Sequence, residues 1–463
     1  MTIERSSLGP FDVQVDVVVV GAGGCGMVAA LAAARQGAQV LLLEKDRRVG
    51  GNTAMSTGMV PAAGTRFQRD GGIEDSAKIM ARDILAMHQG GSNPEITQHL
   101  CGQSASLVEW LVDELGVTLE VVTEFNYRGH SRHRMHAPPD RSGATLSQKL
   151  AVALERERSI ELVCEAPVHS LVIDEQGAVV GVALERSGTQ WVRCQGVVLA
   201  SCGFGANPEM VANYCPEILD ATYFGAAGNT GEAIRWAVDL GAATENMAAY
   251  QGHASLAHPH GTLLTWGVII QGGFLVNQSG QRFGNENEGY SGFAVQVLGQ
   301  PQGLAFAIFD EPIYLALVGF ADFAALVETG GIRKADSIEE LAGMLDIDGG
   351  KLSQTLHKYA EAARGGQDEF GRPDIVRSLS PPYCGVQVTA ALFHTQGGVC
   401  VDRNARVLRS DGSPIPQLYA GGGVAAGISG SGASGYLAGN GLLAALGLGR
   451  IAGEHAALSR DHA

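Results

Sequence analysis

The 463-residue sequence predicts an α/β protein in two lobes, the first of them discontinuous along the chain, and three observations carry that reading. A strand–helix–strand unit opens the chain. A block of different texture, residues 246–373, separates two stretches rich in short strands and glycine turns. The 64 glycines form neither a repeat nor a linker, and they gather where backbone must approach something closely.

In order, Val17-Val18-Val19-Val20 reads as a buried parallel strand, and Cys25 to Gln36 as an alanine-rich helix closed by Gly37. Gln39 to Leu43 returns as a second strand that ends at Glu44, completing a βαβ unit. Further strands are expected at Ala178 to Glu185 and at Gly196 to Ala200, the latter running into Ser201-Cys202-Gly203-Phe204-Gly205. The middle block carries amphipathic helices at Ile338 to Leu345 and Lys351 to Ala363. Beyond it the first texture resumes, with strands near Val399 and at Gln417 to Ala420, a glycine-rich loop, and a helix from Gly441 to Ala457. The expected lobes are therefore 1–245 with 374–463, and 246–373 inserted between them.

Composition removes several classes of function. A balance of 32 basic against 48 acidic residues argues against a general nucleic-acid binder. The eight cysteines (25, 101, 164, 194, 202, 215, 384 and 400) contain no C-x-x-C pair, so the common iron–sulfur, zinc and c-type haem spacings are absent and no metal is expected. Their apolar settings suit a reducing compartment, and the chain is expected in the cytoplasm. The opening residues are polar, and no run reaches the roughly 18 apolar residues of a membrane span.

Gly21-x-Gly23-x-x-Gly26 follows the first strand and opens the helix. The first glycine allows the tight turn, the second admits a pyrophosphate, and the third lets helix and strand pack, while the helix N-terminus faces the phosphates. Glu44, 23 residues after Gly21, stands where a carboxylate can bond ribose hydroxyls. Arg48-Val49-Gly50-Gly51-Asn52-Thr53 adds a second nest of backbone amides, which suits a longer dinucleotide than NAD alone requires. Ile415 to Gly422 would run a strand back beneath its far end.

These motifs, together with Thr230-Gly231-Glu232, Gly280-Gln281-Arg282-Phe283-Gly284-Asn285-Glu286 and His394-Thr395-Gln396-Gly397-Gly398, occur in an order that resembles the fumarate reductase and succinate dehydrogenase flavoprotein superfamily, to which the 3-ketosteroid dehydrogenases belong. The resemblance runs from Asp16 to Gly453. It implies a Rossmann-like FAD-binding domain with an inserted α+β capping domain, and a substrate held between them. It also implies cofactor contacts at Gly21, Gly23, Gly26, Glu44, Lys45, Gly51, Asn52, Thr53, Ser56 and Gly58, then at Val168, Gly203, Glu232, Gly422, Gly423, Gly441 and Leu442. Asn52 replaces the histidine of members with covalent flavin, so noncovalent FAD is implied.

The departures point away from fumarate. Tyr290 stands where the fumarate reductases carry a proton-delivering arginine, and Tyr436 is aligned with a second arginine that grips the substrate carboxylate. Losing both guanidiniums removes the bidentate clamp and the acid–base cation. By resemblance to the ketosteroid enzymes, Tyr290 is assigned as the base for an α-proton, and Tyr436 with the backbone of Gly439 or Asn440 as the donors that polarise a carbonyl. His394 is shared with the fumarate reductases, which suggests either a keto acid substrate or a histidine at the carbonyl. In Arg128 to His136, the most basic segment, Arg134 or His136 could meet an anionic substrate, and a solvated loop is the alternative. His253, His258 and His260 are read as loop histidines without a role.

The expected activity is FAD-dependent α,β-desaturation of a cyclic ketone, a 3-ketosteroid or a smaller cyclohexanone or 4-oxocyclohexanecarboxylate, with hydride passing to flavin N5. An enone or enoate reductase is the alternative, and a non-catalytic flavin-binding protein the second. Electrons would leave to a separate quinone, electron-transfer protein or oxygen.

Overall fold

The computed structural model describes residues 3–5, 11–88, 91–186 and 188–458. A six-stranded sheet orders its strands as 406–408, 414–420, 196–199, 17–20, 40–43 and 160–163. Val17–Val20 lies parallel between Val40–Leu43 and Gly196–Leu199, and all twelve residues are buried. Such runs cannot alternate with polar residues because both sheet faces are covered.

The helix Gly24–Arg35 leaves the first strand, and the helix Asn440–Leu458 packs along it. Their backbones nearly touch, since a Cβ on Gly449 would sit 2.5 Å from the Cys25 carbonyl oxygen and one on Gly453 2.1 Å from that of Ala29. The two ends of the chain are thereby locked into one lobe, and Gly421 to Leu442 are held over the first glycine turn.

A second large sheet orders strands 262–263, 250–257, 383–395, 304–310 and 274–276, with 222–223 and 333–335 also pairing to the long strand. Tyr383–Thr395 lies outside the block 246–373 in sequence, yet it is the hub of this sheet. It carries His394 at its end, and the facing strand Tyr250–Ala257 carries His253. The register sets Gln251 opposite His394. The helices Ile338–Leu345 and Gly349–Ala363 form where periodicity placed them, capped by Ser337 and Asp348 side chains.

Candidate active site

The edge of the parallel sheet opens into a cleft enclosing about 1,940 Å³ of space between atoms, part of it open to solvent. Its lining runs without a break from the first glycine turn, at Gly21 and Gly23, to the aromatic residues Tyr290 and Tyr436.

The dinucleotide half is built from backbone. Gly23, which precedes the helix Gly24–Arg35, offers no side-chain cap, so the helix N-terminus is presented to the cleft. The nearest atom to a Cβ on Gly23 would be the Gly50 carbonyl oxygen at 3.8 Å, and Gly51 faces Gly23 from the other rim with a φ of +49°. Gly21, Gly422 and Gly423 line the same groove. Glu44 is fixed by the N–H groups of Ala22 (2.7 Å) and Asp46 (2.9 Å). Lys45 pairs with Glu232 at 3.1 Å, and both line the cleft with Val168. Thr53 accepts from the Gly24 N–H at 3.1 Å, and Ser56 donates to the Thr53 carbonyl at 2.7 Å. Asn52 accepts from the Ala226 N–H (2.7 Å) and the Asn229 amide (2.9 Å), and donates to the Phe393 carbonyl at 3.2 Å. Its amide therefore stitches three segments together. Open glycine rims, a helix N-terminus without a cap from its own Gly23 and a fixed carboxylate at the end of the second strand are what FAD needs, and the residues fit it.

Three expected contacts lie elsewhere. A Cβ on Gly26 would fall 1.8 Å from the Gly21 carbonyl oxygen, so this glycine lets helix and strand pack and does not line the cleft. Gly203 is pressed against Thr395 Oγ1, 2.1 Å from where its Cβ would be. Gly58 serves a turn with φ +67° against the Ser142 carbonyl. Close approach of backbone at Gly26 and Gly58, and of the Thr395 side chain at Gly203, requires glycine at all three.

The other half of the cleft brings Tyr290, Tyr436, His394 and Gly439 together, with Gly441 and Leu442 at its edge. The rings of Tyr290 and Tyr436 meet edge to face at 6.1 Å, and His394 meets Tyr436 at 5.8 Å. Tyr290, Tyr436 and the backbone of Gly439 and Gly441 thus share one wall of the cleft. Burial, reinforced by Tyr436 and Tyr127, pushes the Tyr290 hydroxyl well above its ordinary range. Burial also raises Tyr436, to about 12, against the pull of the Gly441 N–H, the Tyr290 hydroxyl and the Gly439 N–H.

Gln396 fixes His394. The Ser429 hydroxyl donates to the Gln396 oxygen (2.8 Å), so its NH₂ faces His394 Nδ1 at 3.0 Å. Nδ1 also lies 3.3 Å from the Thr395 carbonyl oxygen, and Nε2 is turned toward Gly441. Burial holds His394 neutral, at about 4.

Sequence reasoning missed several residues of this chamber. His253, read as a loop histidine, lies on a strand and is sandwiched between Tyr290 (4.7 Å) and Phe393 (5.0 Å). Its Nδ1 accepts from the Ser255 N–H at 3.2 Å, leaving Nε2–H as a donor, and burial lowers it to about 3. Tyr127, 5.9 Å from Tyr290, and Thr265 and Trp266 complete the wall. The Tyr250–Ala257 run was the available signal for His253, since a histidine inside an apolar strand faces a covered sheet surface. His258 and His260 do fall in the following turn.

The expectation for Arg134 and His136 is corrected. Arg134 is fully buried and ion-paired with Asp75 and Asp83, both at 2.9 Å. His136 bonds Thr65 Oγ1 and the Arg134 carbonyl, each at 2.9 Å. A buried charge must be paired, so neither side chain is free for a substrate.

The FAD binding domain family matches residues 16–442. The chain belongs to that family. It is 32% identical over 449 residues to a fumarate reductase (cytochrome) of Shewanella frigidimarina, covering 96% of this chain and 77% of that one. It is 31% identical to a urocanate reductase of Eggerthella lenta, covering 88% and 69%. A 3-ketosteroid-Δ4-(5α)-dehydrogenase from Rhodococcus jostii RHA1 has the same fold, with a TM-score of 0.77, 28% identity, and coverage of 99% and 100%. As a member of this flavoprotein family, the protein is an FAD-dependent oxidoreductase acting on carbon–carbon bonds. Among the described residues, no helix is long and apolar enough to cross a membrane.

Proposed function

We propose that this flavoprotein removes hydrogen α,β to the carbonyl of a cyclic ketone. One observation carries the proposal. Tyr290, Tyr436, Gly439 and Gly441 line a cleft whose wall, among the described residues, holds no arginine and whose one lysine, Lys45, is paired with Glu232, while Arg128 lines the adjoining cavity on the other side of the two tyrosines. A dicarboxylate would find no guanidinium fork there. A carbonyl oxygen would find a hydroxyl and oriented amides.

Both tyrosines are too weakly acidic to supply a free phenolate near neutral pH. A proton relay between the two adjacent hydroxyls removes that need. Tyr290 Oη takes the α-proton as its own proton passes to Tyr436 Oη, and Tyr436 gives its proton to the carbonyl oxygen. The ketone becomes an enol, and neither tyrosine is ionised at any point. Gly439 and Gly441 stabilise the charge that grows on the Tyr436 oxygen during the shift. FAD, held by the glycine groove, supplies the acceptor for the β-hydride. The enol hydroxyl's proton then returns through the tyrosine pair to solvent. His253 and His394, neutral imidazoles on facing strands, orient the ring. Electrons leave to a separate acceptor, and eight unpaired thiols suit the cytoplasm.

The test is anaerobic titration of the oxidised holoprotein with 3-ketosteroids, cyclohexanone and 4-oxocyclohexanecarboxylate, followed by flavin absorbance. Bleaching by a saturated ketone supports desaturation. The reductase reading is favoured by the 30–32% identity to fumarate reductases. Reoxidation of reduced flavin by an enone or enoate, with no bleaching by any ketone, would establish it instead.

A further inference from the structure

We propose that His130 is a positioning residue that aims the Gly439 N–H at the Tyr436 oxygen by holding the carbonyl of the same peptide group. The inference rests on the reading of Tyr436 and Gly439 as the oxygen-binding site. It gives a role to the basic segment 128–136.

His130 is buried; it does not line the cleft itself but lines the adjoining cavity on the other side of Tyr290, Tyr436 and Ala438. Its Nε2 lies 3.0 Å from the Ala438 carbonyl oxygen. The Ala438 carbonyl and the Gly439 N–H belong to one planar trans peptide, so they point in opposite directions. Fixing the carbonyl toward His130 therefore fixes the N–H away from it, on the side of the cleft that Gly439 lines together with Tyr436. Gly439 has φ +81°, a conformation in which glycine would otherwise be free to turn. The bond also polarises the peptide, strengthening its N–H as a donor.

The imidazole is itself held in one tautomer. Arg134 Nη1 lies 3.5 Å from His130 Nδ1, and a guanidinium can only donate, so Nδ1 accepts and Nε2 carries the proton. Arg134 cannot swing away. Asp75 takes its Nε (2.9 Å) and Nη2 (3.2 Å), and Asp83 takes Nη1 (2.9 Å). Asp83 also accepts from the Ser131 N–H (2.9 Å) and hydroxyl (2.6 Å), pinning the backbone beside His130. Next to it, a Cβ on Gly129 would lie 2.6 Å from Leu437 Cδ1, so this strap runs directly beneath the loop it supports. Burial and the Arg134 charge hold His130 at about 4, a neutral donor over the working pH range. The chain of contacts runs from two aspartates through Arg134 and His130 to one catalytic peptide.

The experiment compares wild type, His130→Gln and His130→Leu as FAD-loaded proteins. The probe is 4-cyanophenol, whose anion mimics an enolate and whose ionisation is read by ultraviolet difference absorbance against pH. Ketone turnover is measured in parallel. The expected result is anion binding in wild type, about tenfold weaker in His130→Leu and largely restored in His130→Gln, whose amide can donate to the same carbonyl. FAD content and Tm should stay level across the three. If the phenol responds to His130 but no ketone bleaches the flavin, the positioning role stands and the ketone reading falls. Equal anion binding in all three proteins, or none in wild type, overturns the positioning role.

Discussion

The rings of Tyr290 and Tyr436 meet edge to face at 6.1 Å, and the two hydroxyls are not equivalent. Burial pushes Tyr290 well above its ordinary range, whereas the backbone at Gly441 and Gly439 opposes burial at Tyr436 and holds it to about 12. Negative charge is therefore better tolerated on Tyr436. Proton transfer at carbon falls to Tyr290 and charge stabilisation at oxygen to Tyr436.

Tyr290→Phe should slow flavin bleaching by a ketone about 10²–10⁴-fold, the range for loss of a general base. Ligand affinity should change little, because the lost hydroxyl acts on the α-carbon. Tyr436→Phe should cost about 10²–10³-fold and also weaken binding of a phenol anion. Rapid-mixing absorbance with equilibrium titration separates the two. Equal loss of phenol binding in both variants would contradict the division of roles.

A relay without ionised intermediates has a pH signature. The tyrosines stay protonated below about pH 9, and His253 (about 3) and His394 (about 4) stay neutral above about pH 6. We expect kcat/KM for the ketone to be level between about pH 6 and 9. A free phenolate base would instead give a tenfold rise per pH unit over that range. The pH profile under substrate-limited conditions decides between them.

The dinucleotide half was legible because its information is local. Gly21, Gly23, Gly26 and Glu44 lie within one βαβ unit, where spacing fixes geometry. Tyr290 and Tyr436 were found through motifs that surround them. Tyr127 and His253 were not, because each joins the site through folding across long stretches of chain. Arg134 was misread for the same reason: its partner Asp75 is 59 residues away, and an arginine in a basic run looks solvated until that partner is seen. The lobe boundary was blurred by Tyr383–Thr395, whose continuous burial gives no periodic mark of which sheet it joins.

The first-turn glycines should respond differently to one methyl group. Gly26→Ala places a Cβ 1.8 Å from a backbone oxygen that cannot move without breaking the strand–helix turn. We expect destabilisation of at least about 3 kcal/mol and loss of FAD. Gly23→Ala meets nothing nearer than 3.8 Å, so the apoprotein should fold with nearly unchanged Tm while the methyl group obstructs the cofactor groove. Apoprotein melting and FAD titration check both arms. A Gly23→Ala protein that binds FAD as wild type does would remove Gly23 from the cofactor site.

Acid should destabilise the protein well before its carboxylates titrate. Burial lowers His130, His136 and His394 to about 4 and His253 to about 3, all below the usual histidine value. The unfolded chain then binds more protons than the native one below about pH 6.5, so stability is full above that pH and is lost as pH falls toward 4. Each histidine contributes a slope of at most about 1.4 kcal/mol per pH unit. Asp322, raised to about 6 by burial, acts in the opposite sense between about 4 and 6 and offsets one of the four. Three uncompensated histidines remain over that window, a loss of up to about 4 kcal/mol per pH unit. Urea unfolding of the holoprotein at pH 7, 6 and 5 should show the midpoint falling progressively. A midpoint unchanged down to pH 5 would mean that these imidazoles are not held neutral by burial.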